Sequence, residues 1–261
     1  MRVLDTFSLA GRVALVTGGA GLYGRQIVRA LAEAGARVWT AARHVEPLQA
    51  LADELGREGL AVKAASYDQA DEASVLRLRD ALLAAEGRID ALVNNAVARP
   101  MRRGWGDDAA AFGESMSVNA TGLFVVTRAF GDAMAAAGHG SIVNIGSIQG
   151  MIGPDPTIYR GTEMSGWYPD YFFHKGGMIN FTRFAASYYG GRGVRCNCVS
   201  PGGFETPAQP AAFKRQYADR TFLGRLAGDT DLMGAIVFLA SDASAYVTGT
   251  NVPVDGGYTA K

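Results

Sequence analysis

Short runs of aliphatic and β-branched residues alternate along this chain with longer, alanine-rich stretches whose apolar positions recur at helical spacing. The runs are RVALVTG, ARVWTAA, LAVKAASY, RIDALVNN, SIVNIGS, VRCNCVSP and NVPVDGG. Runs this short and this continuously apolar predict strands buried on both faces. The intervening periodicity predicts helices over residues 22–34, 45–56, 71–85, 109–137, 171–189 and 229–239. Alternating strands and helices specify βαβ units. Right-handed crossovers then wind them into a doubly wound parallel sheet, an α/β fold. No Pro/Ser-rich or charge-block linker breaks the alternation, so a single domain is expected over 1–261. Ligands of such sheets bind outside the carboxyl ends of the strands. The glycine-rich and polar segments of this chain all follow its apolar runs, at that edge.

Charge removes several classes of partner. With 25 basic and 25 acidic residues the chain is formally neutral, and no nucleic-acid or membrane-surface partner is expected. Arg2, Asp5 and Arg12 interrupt the opening stretch, unlike a signal peptide, and no apolar run approaches the roughly 18 residues that span a bilayer, so a cytoplasmic protein is expected. Cys196 and Cys198 are spaced to share one face of a strand, too close for an unstrained disulfide. His44, His139 and His174 are scattered. Buried strand cysteines are therefore expected, and no metal.

Candidate chemistry enters at YFFHK, residues 171–175, where Tyr171 and Lys175 stand four apart and align on one helical face. A phenol with a pKa near ~10 is a poor base at neutral pH, and an adjacent ammonium stabilises its phenolate. Tyr159 and Tyr168 lack this partner, because Glu163 and Phe172 occupy the corresponding positions. Upstream, TGGAGLYG at 17–24 turns a strand directly into a helix. Gly18, Gly21, Leu22, Tyr23 and Gly24 form a candidate pyrophosphate loop, where backbone approaches closely and a helix N-terminus offers free N–H groups. A tight turn without a ligand is the alternative.

Taken in order, that loop, Asn94-Asn95-Ala96, Asn119, Asn144 to Ser147, the Tyr171/Lys175 pair and Pro201-Gly202 resemble the short-chain dehydrogenase/reductase family, single-domain branch, over nearly the whole chain. The resemblance implies a Rossmann fold and an oxidoreductase that transfers a hydride between NADP or NAD and a secondary alcohol or ketone. It makes Tyr171 the general acid/base, with Lys175 also holding the nicotinamide ribose. Ser147 orients the substrate oxygen, and the Asn119 backbone carbonyl holds a water in the proton relay with Lys175. Asp68 and Gln69 would meet the adenine, Asn94, Asn95 and Ala96 its ribose, and Pro201, Gly202, Phe204 and Thr206 the nicotinamide carboxamide. Asn94 has a structural reading as well, tying adjacent strands.

Two departures stand out. Family glycines would sit at 18, 22 and 24, but here Gly21 stands and position 22 is Leu. That spacing resembles the sugar-nucleotide-modifying branch, whose extra C-terminal domain is not expected within these 261 residues. Ser147 and Tyr171 are also 24 residues apart, about twice the family's usual separation. The surplus is an insertion at about 152–170, expected on the substrate side. Arg160, Glu163 or Trp167 there would contact a sugar acid or polyol, and a bland surface insertion is the alternative. Residues 204–222 are expected to form a lid, and Gln149 and Met151 to line the pocket.

Cofactor preference is read at the end of the second strand, where an acid binds a ribose 2′-hydroxyl and an arginine a 2′-phosphate. Ala42 stands where an acid would, and Arg43 follows. One charge-assisted contact supplies about 1.5–3 kcal/mol, which favours NADP; a merely solvated Arg43 is the alternative. Two further functions remain open: a non-catalytic nucleotide-binding regulator or scaffold, and a sugar-nucleotide dehydratase or epimerase. His174 has no assigned role. Apolar residues expected on outer helix faces (Phe130, Met134, Phe181 and Phe184) and the C-terminal run 246–258 point to a homodimer or homotetramer, the assembly that the family commonly forms.

Overall fold

A computed structural model describes residues 2–261. Seven strands, β1 (Val13–Thr17), β2 (Arg37–Ala42), β3 (Val62–Ser66), β4 (Ala91–Asn94), β5 (Gly140–Ile145), β6 (Val194–Pro201) and β7 (Asn251–Val254), form one sheet in the order β3-β2-β1-β4-β5-β6-β7. Every pairing is parallel. Eight α-helices accompany them among the described residues: α1 (Leu22–Glu33), α2 (Glu46–Arg57), α3 (Glu72–Glu86), α4 (Ala109–Met116), α5 (Leu123–Ala137), α6 (Pro169–Gly190), α7 (Ala211–Ala218) and α8 (Met233–Ala240). The strand order reverses between β1 and β4, and a crevice opens there at the carboxyl edge.

The continuous apolar runs are explained by burial on both faces. Along β1, Val13 and Leu15 join the core beneath α3, α5 and α6, while Ala14 and Val16 join the core beneath α1, α2 and α8. A third, smaller cluster joins Ile148 and Ile158 to Phe213, Tyr217, Leu226 and Tyr258. It builds a roof over one end of the crevice.

The predicted helix over 109–137 is two helices. A π-helical turn, Ser117–Gly122, separates α4 from α5. Two contacts account for the break: the Asn119 side chain is hydrogen-bonded to the Ala98 backbone, and Gly122 lies so close to Gln69 that a Cβ would come within 2.6 Å of its carbonyl oxygen. The same region corrects the expected outer apolar face. Phe130 and Met134 are both 0 % exposed, because α5 turns them toward α3 and the sheet. On α5 the exposed apolar residue is Phe124, whereas on α6 Phe184 is exposed as expected, stacked between half-buried Phe181 and exposed Tyr188, and Phe173 is 66 % exposed nearer the helix start. No helix among the described residues is long and apolar enough to cross a membrane.

Candidate functional site

The crevice holds a cleft of about 740 Å³. At one end, β1 runs into α1 through the glycine loop. Gly18 has φ 69°, and a Cβ on it would come within 2.9 Å of the Ala96 Cα. A Cβ on Gly24 would sit 2.4 Å from the Gly18 carbonyl oxygen, so only glycine lets α1 start this close to β1. Gly21 caps α1 with no side chain over its first turn, which leaves the N–H groups there for an outside acceptor. Gly18, Gly21, Leu22, Tyr23 and Gly24 all line the cleft. The cradle fits a dinucleotide pyrophosphate.

The neighbouring loop is stitched to it. Asn95 Nδ2 donates to the carbonyls of Thr17 (3.1 Å) and Gly18 (2.8 Å), and the N–H groups of Asn95 and Ala96 both donate to Thr17 Oγ1. Asn94 donates to Asn144 Oδ1 (2.8 Å) and Thr127 Oγ1 (3.0 Å), tying β4 to β5. Ala42 and Arg43 line the cleft at the end of β2, with the Arg43 side chain exposed at the rim. Asp68 and Gln69 line it after β3. The Gln69 amide is engaged within the protein, accepting from the Tyr67 hydroxyl and donating to the Val118 carbonyl.

Across the cleft, Tyr23 donates from its hydroxyl to the Gly202 carbonyl (2.8 Å) and packs edge-on against Phe204. Burial pushes the Tyr23 phenol well above its ordinary range, so it stays protonated. Pro201, Gly202 and Phe204 line the wall, but Thr206 does not. Its N–H donates to Gln209 Oε1, whose Nε2 donates to the Phe204 carbonyl, and Gln209 takes the wall position in place of Thr206.

Ser147, Tyr171 and Lys175 converge at the inner end. Ser147 follows β5, and its Oγ accepts from the Gln149 N–H (3.1 Å). Tyr171 and Lys175 lie on α6 as the spacing predicted. Lys175 is 3 % exposed, donates to the Ile145 carbonyl at 2.5 Å, and holds its Nζ 5.7 Å from the centre of the Tyr171 ring. Burial pushes the Lys175 ammonium below the usual lysine range, against the pull of the Tyr171 phenol. His174 packs edge-on to Tyr171 with neither ring nitrogen hydrogen-bonded. Burial, then the charges of Lys175 and Arg99, hold its pKa down at about 3, so it is neutral.

Asn119 stands behind this group, in the π turn, and borders a separate small gap with Lys175 and His174. Its Oδ1 accepts from the Ala98 N–H (2.9 Å), and its Nδ2 donates to the Ala98 carbonyl (2.8 Å) and Ser115 Oγ (3.0 Å).

The roof comes from the 152–170 and 204–222 segments packed together. Tyr159 stacks on Phe213, Arg220 pairs with Asp155 at 2.9 Å, and Gln216 donates to the Arg160 carbonyl. Ile152 to Asp155, Ile158 and Tyr159 line the cleft, together with Gln149, Phe213, Tyr217 and Tyr258. Arg160, Glu163, Trp167 and Met151 do not, and Trp167 is exposed. Sequence reasoning also missed Arg99, whose guanidinium carbon lies 4.3 Å from the centre of the Tyr171 ring. Its signal was the first of three arginines, with Arg102 and Arg103, in the stretch just past the Asn-Asn-Ala turn at the ligand-binding edge.

A family model described as enoyl-(acyl carrier protein) reductase matches residues 21–259. A galactitol 2-dehydrogenase (L-tagatose-forming) of Cereibacter sphaeroides is 36 % identical over 259 residues, covering 97 % of each chain. A cis-4-hydroxycyclohexanecarboxylate dehydrogenase of Sinomonas cyclohexanicum is 37 % identical, covering 97 % of this chain and 98 % of its own. Among solved structures, a gluconate 5-dehydrogenase from Burkholderia cenocepacia J2315, in complex with NADP and tartrate, superposes with a TM-score of 0.89 at 34 % identity, and all of both chains is covered.

Proposed function

The chain belongs to the short-chain dehydrogenase/reductase family, and from that premise we propose that it transfers a hydride between NADP(H) and a secondary alcohol or ketone on a hydroxyl-rich or carboxylated skeleton. The observation that carries this reading is the convergence of Ser147, Tyr171 and Lys175 at the inner end of a cleft whose outer end is the glycine cradle. The galactitol, hydroxycyclohexanecarboxylate and gluconate named for its relatives support the substrate class.

Gly18, Gly21, Leu22, Tyr23 and Gly24 hold the pyrophosphate, and Arg43 the 2′-phosphate. Asp68 and Gln69 face the adenine, Asn95 and Ala96 its ribose, and Pro201, Gly202 and Phe204 the nicotinamide end. The bound nicotinamide supplies or accepts the hydride. The Ser147 hydroxyl donates to the substrate oxygen and aims it at Tyr171. In oxidation the Tyr171 phenolate takes the hydroxyl proton, and in reduction the phenol returns it. Lys175 stabilises the phenolate, and the Asn119 carbonyl orients the water that exchanges the proton with Lys175. The roof of Ile158, Tyr159, Phe213 and Tyr217 excludes bulk water, and the 204–222 segment that carries Phe213 and Tyr217 serves as the lid.

The exposed Phe173, Phe184 and Tyr188 on α6 support assembly through this face into a homodimer or homotetramer. Light scattering reporting only monomer at micromolar concentration would contradict that. The two buried free cysteines suit a reducing, cytoplasmic compartment. The activity is tested by following NADP⁺ and NAD⁺ reduction with a panel of polyols, aldonates and cyclic alcohols. At least one secondary alcohol should support reduction of NADP⁺ in preference to NAD⁺. Tight nucleotide binding with no turnover across the panel would instead favour a regulator or scaffold.

A further inference from the structure

Three cationic side chains, Arg43, Arg99 and Lys175, line the cleft. Arg43 belongs to the nucleotide end, and Lys175 is bound to the Ile145 carbonyl. Arg99 is unassigned. Among the described residues it makes no ion pair and no side-chain hydrogen bond, yet its guanidinium stacks on the Tyr171 ring at 4.3 Å. With its N–H groups untaken by any acceptor among the described residues, the guanidinium keeps the planar fork that matches a carboxylate. The acid nearest in role, Asp155 of the roof, is already held by Arg220 at 2.9 Å and by the Thr157 N–H, so the positive charge of Arg99 is left open to the cleft.

The backbone under Arg99 is fixed. Asn119 closes two hydrogen bonds on Ala98, and its Nδ2 also donates to Ser115 Oγ. Ser115 Oγ in turn donates to Asp170 Oδ2 at 2.5 Å. Asp170 is buried and immediately precedes Tyr171. One buried polar chain thus holds the loop carrying Arg99 against the helix turn carrying Tyr171. That chain fixes the backbone from which the exposed Arg99 side chain reaches over the Tyr171 ring.

We propose that Arg99 is a specificity-determining residue that receives a carboxylate of the substrate, so that compact hydroxy acids are preferred over neutral polyols. This deepens the oxidoreductase reading and rests on it. The reacting carbinol must reach Ser147 and Tyr171, and the guanidinium lies against that same ring, so the carboxylate sits within a few carbons of the reacting carbon. A neutral polyol at the same place leaves Arg99 to water.

Tartrate and threitol share a four-carbon skeleton and differ in carboxylate against hydroxymethyl ends. Their binding to the NADPH-loaded protein is measured by calorimetry for wild type, Arg99→Gln and Arg99→Lys. Wild type should bind tartrate at least ~10-fold more tightly than threitol. Arg99→Gln should lose tartrate affinity by roughly 10- to 100-fold and keep NADPH affinity, with Arg99→Lys between, as expected for one charge-assisted contact. Equal wild-type affinities for the two, or no tartrate binding, overturn the proposal. So does Arg99→Gln binding tartrate as wild type does, or losing NADPH and tartrate together. If Arg99→Gln leaves tartrate binding intact while wild type reduces NADP⁺ with a neutral alcohol, the anchor fails and the oxidoreductase reading stands. Discrimination without turnover of any alcohol gives the reverse.

Discussion

Replacing Lys175 by Met isolates what one buried ammonium does for the proposed proton transfer. Its Nζ lies 5.7 Å from the centre of the Tyr171 ring. With the phenolate charge placed at the ring centre and an effective dielectric of about 20, the two unit charges attract by about 3 kcal/mol, or roughly 150-fold in rate if the attraction is felt only once the phenol ionises. Methionine keeps the length and apolar stem of lysine. It leaves the Ile145 carbonyl unpaired, which costs about 1–3 kcal/mol, offset by removal of a cation that burial already disfavours. Fold stability should therefore change little while chemistry falls by about two orders of magnitude. The assay is single-turnover NADPH formation with a saturating alcohol, beside calorimetric NADPH affinity and the thermal midpoint. A folded Met variant that binds NADPH and turns over within about five-fold of wild type would refute the assigned role of the ammonium.

Arg43→Ala should weaken NADPH roughly 10-fold or more and scarcely change NADH, measured by calorimetry, because one charge-assisted contact to the 2′-phosphate is lost; equal losses for both would make Arg43 a structural residue. Glu86, at the end of α3, accepts from Lys63, Trp39 and Arg37, and these hydrogen bonds, that from Lys63 foremost, overcome burial and hold its pKa down at about 2 against an ordinary 4.5. Its stabilisation is full above about pH 4.5 and is lost as pH falls toward about 2, so Glu86→Gln should cost about 1–3 kcal/mol at neutral pH and flatten the acid side of the stability curve in denaturant melts. An unchanged acid limb would show that the cluster is decorative.

The sheet was legible because strands buried on both faces are written as unbroken apolar runs, and the motifs fell where those runs end. Helix boundaries came within a few residues where caps mark them, as at Asp71 before α3 and Gly138 after α5. The break at 117–122 was not legible, because it depends on Asn119 reaching a loop 21 residues away in sequence. Nor were the outer faces: α5 and α6 are both rich in apolar residues, and only packing decides that Phe130 turns inward while Phe184 remains exposed. That Tyr171 and Lys175 share a helical face was readable from their spacing, and that Ser147 lies at the cleft edge from its place at the end of an apolar run. Arg99 was not, because its meaning lies in a ring contact across two loops. Within residues 152–170 the residues that face the cleft were not legible: Ile158 and Tyr159 turn inward to meet Phe213, while Trp167 is left at the surface.

The central claim is that the Tyr171 hydroxyl exchanges the proton that accompanies hydride transfer. Tyr171→Phe removes that oxygen and keeps the ring against which Arg99 and His174 pack. Stopped-flow formation of NADPH from NADP⁺ and a turned-over secondary alcohol should fall by at least about 10³-fold in the Phe variant, in line with loss of a general base and its substrate hydrogen bond, while NADPH affinity stays within a few-fold. Near-wild-type turnover by a correctly folded Phe variant would contradict the account.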